Sequence, residues 1–178
     1  IKSDILYGLY QSKNEIRKED KCYLVEGYTD VISLYQIGIN NVVSSSGTSL
    51  TNGQIKLLSR YTKNITILYD GDEAGLNASL RGMDLILEND LNVKIVSLPK
   101  DEDPDSLSKK MNELEFKNYL NTNETDLINY KVKLLNENYK DDPIKKSDMI
   151  FDIVKSISKI PNSIKRSVFI KETSNSLN

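Results

Sequence analysis

Ile65-Thr66-Ile67-Leu68-Tyr69-Asp70-Gly71-Asp72-Glu73-Ala74-Gly75 passes from a β-branched, aliphatic and aromatic run straight into an acidic turn. Residues 65–69 have the composition of a strand. Asp70 to Gly75 has the chemistry of a turn that leads into a helix, and the spacing of apolar residues carries that helix to about residue 89. Downstream, Val93-Lys94-Ile95-Val96-Ser97-Leu98 reads as the next strand. Upstream, the apolar run Cys22-Tyr23-Leu24-Val25 reads as a strand that stops at Glu26-Gly27. A short helix with Val31, Ile32, Leu34 and Tyr35 follows and stops at Gly38. Asn41 to Ser45 is another strand. Thr51 and Gln54 have the spacing of a capping box opening a helix with Ile55, Leu57 and Leu58. Residues 4–19 read as a leading helix, with Leu6, Leu9, Tyr10 and Ile16 as its buried positions.

Strands alternating with helices predict an α/β fold. Its parallel sheet should be covered on both faces, with right-handed crossovers. From about residue 112 the strand signals vanish. Amphipathic stretches carry Leu127, Tyr130, Leu134 and Leu135, then Ile150, Ile153, Val154 and Ile157. Pro161 can open a last helix with Ile164 and Val168. The expected division is a helical lead-in over 1–20, an α/β domain over 21–111 and a small helical subdomain over 112–178.

The bulk properties narrow the function. The chain has 178 residues, one cysteine, no histidine and a formal charge of −2. A disulfide framework, a Cys/His zinc site and a histidine general base are excluded within it. Cys22 reads as core packing. No apolar run approaches the about 20 residues needed to span a bilayer, and the first residues, Ile1 to Tyr10, lack the basic start and apolar stretch of a signal peptide. The first residue is not Met and the end is polar, so the sequence reads as part of something longer. A domain that grips nucleic acid alone is usually basic. The lysine and arginine residues here, including Lys109-Lys110, Lys145-Lys146 and Lys165-Arg166, read as solvated helix faces. None of the ten tyrosines stands out as a nucleophile; Tyr7, Tyr10 and Tyr35 read as core or interface positions.

In a parallel sheet, ligands bind beyond the carboxyl ends of the strands. Three of the four expected strands end there in acids. Glu26 closes the first, with Asp30 just inside the next helix. Asp70-Gly71-Asp72 closes the third, and Leu98-Pro99 leads from the fourth to Asp103-Pro104-Asp105. Crowded carboxylates repel one another unless they take up protons or a cation. Oxygen donors without Cys or His suit Mg²⁺ or Mn²⁺, and magnesium often bridges carboxylates to substrate phosphates. Each piece alone also has a bland reading: Asp-Gly-Asp makes a good turn and cap, and Asp103-Pro104 a good helix start. Gly47 and Thr48, in the loop after the second strand, let a backbone approach closely and could meet phosphate.

Leu24-Val25-Glu26-Gly27-Tyr28-Thr29-Asp30-Val31 resembles the first signature of the TOPRIM domain as it occurs in bacterial DNA primases. Ser46-Gly47-Thr48-Ser49-Leu50-Thr51 is similar to their Gly-Thr loop, and Tyr69 to Ala78 to their Asp-x-Asp signature. Leu98-Pro99 with Asp103-Pro104-Asp105 resembles their last signature. Leu6-Tyr7-Gly8-Leu9 and the tail around Ile164-Lys165-Arg166 resemble flanking segments of the primase core. Two positions depart from the pattern: Asp101 stands where Gly is common, and Ser46 where a larger aliphatic residue is usual.

The resemblance implies a Rossmann-like TOPRIM sheet followed by a helical subdomain. It implies Glu26, Asp70 and Asp72 as catalytic ligands of Mg²⁺ or Mn²⁺, and Asp30, Asp103 and Asp105 as supporting acids of the same cluster. The implied activity is nucleotidyl transfer: short RNA primers made from ribonucleoside triphosphates on single-stranded DNA in the bacterial cytoplasm. Zinc would belong to another domain, and so would contact with the replicative helicase. The isolated chain is expected to be folded but nearly inactive in primer synthesis, because the basic, template-holding half of the family's core is not in it. Other TOPRIM roles are a nuclease or topoisomerase, and a non-catalytic binding module. No tyrosine here has a topoisomerase motif, and binding modules typically lack the full acidic set.

Overall fold

β1 (Cys22–Val25) is buried along its whole length, and its side chains divide between the two faces of the sheet. Cys22 and Leu24 enter one core and Tyr23 and Val25 the other, as the two-residue period of a strand requires. β3 (Asn64–Tyr69) and β4 (Asn92–Ser97) repeat the division. Ile65, Ile67, Val93 and Ile95 join Cys22 and Leu24, whereas Leu68 and Val96 join Val25. A strand buried on both sides needs helices on both faces.

The computed structural model describes residues 4–45, 49–69, 73–138 and 142–177. Its sheet has the order β2-β1-β3-β4-β5, with β2 at Val42–Ser44 and β5 at Thr125–Asp126. The first four strands pair in parallel. The chain leaves β1 toward β2, then crosses back to β3 on the other side. Uniform crossover handedness then puts the connecting helices on opposite faces. α2 (Tyr28–Gln36) contributes Val31 and Leu34 to one core. α3 (Asn52–Leu58) and α4 (Glu73–Glu88) contribute Ile55, Leu58, Met83 and Ile86 to the other.

The start of the chain differs from the expected helix over 4–19. α1 spans Leu9–Glu19, and Gly8 precedes it in the left-handed region at φ 82°. Tyr7 does not continue the helix because its N–H and C=O both pair with Ser44, at 3.0 and 3.1 Å. Leu9, Ser12 and Ile16 therefore form the buried face. Tyr10, expected inside, is 78% exposed. Tyr7 and Tyr35 are not core either; with Tyr10, Ile5 and Ile32 they line an open apolar groove of about 720 Å³.

Several caps follow the sequence. Thr51 and Gln54 form the expected reciprocal capping box, and Gly38 ends α2 at φ 93°. Cys22 is fully buried. Pro104 opens α5 (Pro104–Ser108) behind its N-cap Asp103.

Past residue 112 the sheet is still being built. Phe116 and Leu120 of α6 (Glu113–Asn123) pack into the same core as α2. β5 then adds an antiparallel strand, Ile95 opposite Thr125 and Lys94 opposite Asp126. The sheet is therefore mixed rather than wholly parallel. A two-residue polar strand carries no pattern that a sequence can show.

α7 (Leu127–Asn138) and α8 (Pro143–Ser158) enclose a third core of Ile128, Val132, Leu135, Ile153 and Ile157. α9 (Ser163–Leu177) starts after Asn162, whose side chain accepts from the Lys165 N–H, and not at Pro161. Val154, Ile164 and Val168 are exposed, so the apolar spacing in the tail overstated what is buried.

Candidate metal centre

The direction of the chain reverses between β1 and β3, and in open α/β sheets the crevice at such a point receives ligands. Glu26 lies there. It follows β1 directly and is exposed. Leu24 is level with Ile67 in the parallel pairing, so Glu26 is level with Tyr69, the last residue of β3. The expected ligands Asp70 and Asp72 lie outside the described residues, as do Gly47 and Thr48.

Asp30 sits one turn into α2. It is only 6% exposed, and its Oδ2 accepts the Gly27 N–H at 2.9 Å. This bond fixes the bend directly after Glu26, since Gly27 begins the helix in an extended conformation. Burial pushes the Asp30 carboxyl above its ordinary pKa. The backbone N–H groups of Gly27 and Asp105 pull it down, and the charges of Asp103 and Asp105 push it up.

Asp103 and Asp105 arrive on α5, which packs against α2. Asp103 accepts the Ser106 N–H at 2.6 Å as an N-cap. Asp105 takes the Ser33 hydroxyl on Oδ1 and the Lys109 ammonium, at 2.6 Å, on Oδ2. Those bonds, Lys109 first, hold its carboxyl below the usual range. The Asp105–Lys109 pair has i,i+4 spacing, which was legible in the sequence. Ser33 had no such signal.

The structure thus gathers Glu26, Asp30, Asp103 and Asp105 around the N-terminal turn of α2. Among the described residues, no group of three acids is arranged to hold a cation. The donor chemistry fits a hard divalent ion: Glu26 is an exposed carboxylate at the sheet's carboxyl edge, the acids around it supply only oxygen, and the chain has no histidine.

Comparison with known proteins defines the class. Residues 23–108 match the Toprim-like family, so this α/β unit is a Toprim-like domain. The chain as a whole is a homologue of one segment of the DNA primases. It is 40% identical over 173 residues to the DNA primase of Clostridium acetobutylicum, covering 95% of this chain and 28% of that protein. A DNA primase domain from Pseudomonas aeruginosa superposes with a TM-score of 0.86 at 32% identity, over 99% of this chain and 56% of that one. A DnaG primase catalytic domain bound to ssDNA superposes at 0.84 with 31% identity, over 98% and 57%. The chain therefore spans under a third of the Clostridium primase and over half of the solved catalytic domains.

Proposed function

We propose that this chain is the metal-holding part of a DNA primase catalytic core, which joins ribonucleotides into short primers on single-stranded DNA. The observation that carries the reading is the placement of Glu26 at the topological switch of a Toprim-like sheet, in a chain homologous to primases along almost its whole length. Glu26, Asp70 and Asp72 are the ligands of Mg²⁺ or Mn²⁺ in this reading; Asp30, Asp103 and Asp105 are supporting acids.

A bound divalent ion would supply charge neutralisation at the triphosphate as the 3′-hydroxyl attacks and pyrophosphate leaves. The chain's own residues do the placing. Asp30 holds the Gly27 bend and thereby aims Glu26 out of the sheet edge. Asp70 directly follows Tyr69, level with Glu26 across the switch. The Gly47-Thr48 loop is proposed to approach phosphate through its backbone. No general base from the protein is required. The template strand, the primer and the ribonucleotides are the proposed partners, in a bacterial cytoplasm. Helicase contact and zinc are assigned to other parts of the parent protein.

Titration of the chain with Mn²⁺, followed by water-proton relaxation, tests this. Saturable binding in the millimolar to sub-millimolar range, on the order expected for a few carboxylates that leave waters on the ion, should weaken strongly in Glu26→Gln and in the double variant Asp70→Asn, Asp72→Asn. Binding that is absent, or unaffected by these changes, overturns the reading.

A further inference from the structure

Between Asp30 and Asp70 the sequence contains no acidic residue. Within that stretch, α3 and the turn that closes it bring Lys56 and Arg60 to the surface. α1 lies alongside. The Arg17 guanidinium stacks on the Tyr61 ring, 4.7 Å from its centroid, and Gln54 Nε2 donates to the Ile5 carbonyl just ahead of α1 at 2.9 Å. Leu9, Ser12 and Ile16 form the buried face of α1 and divide its exposed surface in two. Tyr10, Lys13 and Arg17 share the side toward α3 by their three- and four-residue spacing, and the Lys13 ammonium lies 4.4 Å from the centre of the Tyr10 ring. Glu15 and Glu19 take the other side, paired with Lys18. Asp20, at the far end of α1, accepts from Thr62 and Asn64 at 2.8 and 3.0 Å. Among the described residues, none of Lys13, Arg17, Lys56 and Arg60 forms an ion pair, whereas Lys109, Lys110, Lys117 and Lys145 all do. The two helices thus present one stripe of unneutralised cations with an exposed tyrosine at its end.

α1 leads into β1 and α3 into β3, two parallel strands, so both helices run from the sheet's carboxyl edge to the opposite edge. Tyr10 stands in the first turn of α1, at the carboxyl-edge end, and is 78% exposed. It shares the open groove with Ser45. Ser45 is level with Glu26, because Val25 pairs with Ser44. We propose that the stripe is a track for single-stranded DNA. Lys13, Arg17, Lys56 and Arg60 meet its phosphates, Tyr10 takes one base on its ring, and the strand is led toward the edge that carries Glu26. The cations suit a polyanion. An exposed ring beside them suits a strand whose bases are free to stack, which those of a duplex are not. The proposal rests on the primase reading above for the identity of the strand. Four cations in a chain of net charge −2 make a weak, salt-sensitive contact that orients a template and leaves the grip to other parts of the parent protein.

The test is fluorescence anisotropy of a labelled oligothymidine with the 178-residue chain, over a series of salt concentrations and in EDTA, so that no metal bridges the two. Wild type should bind at low salt. The double variant Lys56→Gln, Arg60→Gln should flatten the dependence of log K on log salt by about 1.4, at about 0.7 for each phosphate contact to a single strand. Tyr10→Ala should weaken binding about fivefold or more and leave that slope alone, as the loss of one stacked base does. Lys155→Gln with Lys171→Gln removes the same charge from α8 and α9 and should leave the slope at its wild-type value. No binding by wild type would overturn the proposal. So would an equal flattening in the α8–α9 pair, a Tyr10→Ala variant that binds as wild type does, or an unlabelled duplex that displaces the probe better than the unlabelled strand. The track and the metal centre fail separately. A chain that takes up Mn²⁺ but ignores the strand loses the track alone; one that binds the strand through these residues but takes up no Mn²⁺ loses the metal reading and keeps the track.

Discussion

Glu124 closes α6 with a carboxylate that is 13% exposed and meets Lys21 at 2.6 Å and Lys94 at 2.7 Å. Burial pushes its carboxyl up, but the two lysines more than reverse this and hold it below its ordinary pKa. An acid with a depressed pKa in the folded state stabilises the fold above its unfolded pKa, and that contribution is lost as pH falls through the folded value. Glu124→Gln is therefore expected to lower the unfolding free energy by about 2 kcal/mol at pH 7, the scale of charge-assisted hydrogen bonds. The gap to wild type should close as pH drops below about 4.3. Urea titrations at pH 7 and pH 3 check this; an equal gap at both would mean that the charge is irrelevant. Lys131 is a second case. Its side chain is 2% exposed and reaches Asp152 at 2.5 Å and Ser156 at 2.7 Å, while Ser156 donates to Asp84 at 2.6 Å. Lys131→Ala should cost about 3 kcal/mol, the low end for breaking a buried pair because Asp152 is half exposed. Lys131→Met keeps the hydrocarbon stem and should cost less than half as much in the same denaturation experiment. None of the three lysine pairings was legible in the sequence, since the acidic partners of Lys21, Lys94 and Lys131 lie 103, 30 and 21 positions away.

Gly8 decides where α1 begins. It is left-handed, and a Cβ there would lie 2.8 Å from Val31 Cγ1 and 3.3 Å from the Val42 carbonyl oxygen. Gly8→Ala should cost about 2 kcal/mol or more, since left-handed strain alone is about 1–2 kcal/mol and Val31 must also move. Chemical denaturation measures it; a loss under about 0.5 kcal/mol, the size of an ordinary surface change, would mean the turn relaxes freely. The elements that could be read in advance were those whose signals are local. The Thr51–Gln54 box and the Asp103-Pro104 start work over three or four residues, and the four parallel strands are apolar runs. α1 was read too long because its apolar spacing runs on through Gly8, whereas the pairing that stops it comes from Ser44, far along the chain. β5 was missed because its two residues, Thr125 and Asp126, become a strand only by lying against β4.

At the scale of the molecule, the meeting of Glu26, Asp30, Asp103 and Asp105 was legible because a parallel sheet sends every strand's carboxyl end to one edge. What each acid does there was not, since the caps and the Ser33 contact depend on how α5 lands on α2. With a net charge of −2, the molecule has little of its own with which to hold a template. The 178-residue chain is expected to show no templated ribonucleotide incorporation with Mg²⁺, while a parent protein containing it incorporates; robust synthesis by the chain alone would contradict the division of labour proposed here. The sheet has two margins. Its β4 margin is occupied by Thr125–Asp126, and its β2 margin meets the single bridge from Tyr7 to Ser44. Bare margins recruit strands from other molecules and seed fibrils. Here each is partly covered by a piece of the same chain too short to offer a fresh template. Each margin is thereby left with less free backbone on which a second copy could pair.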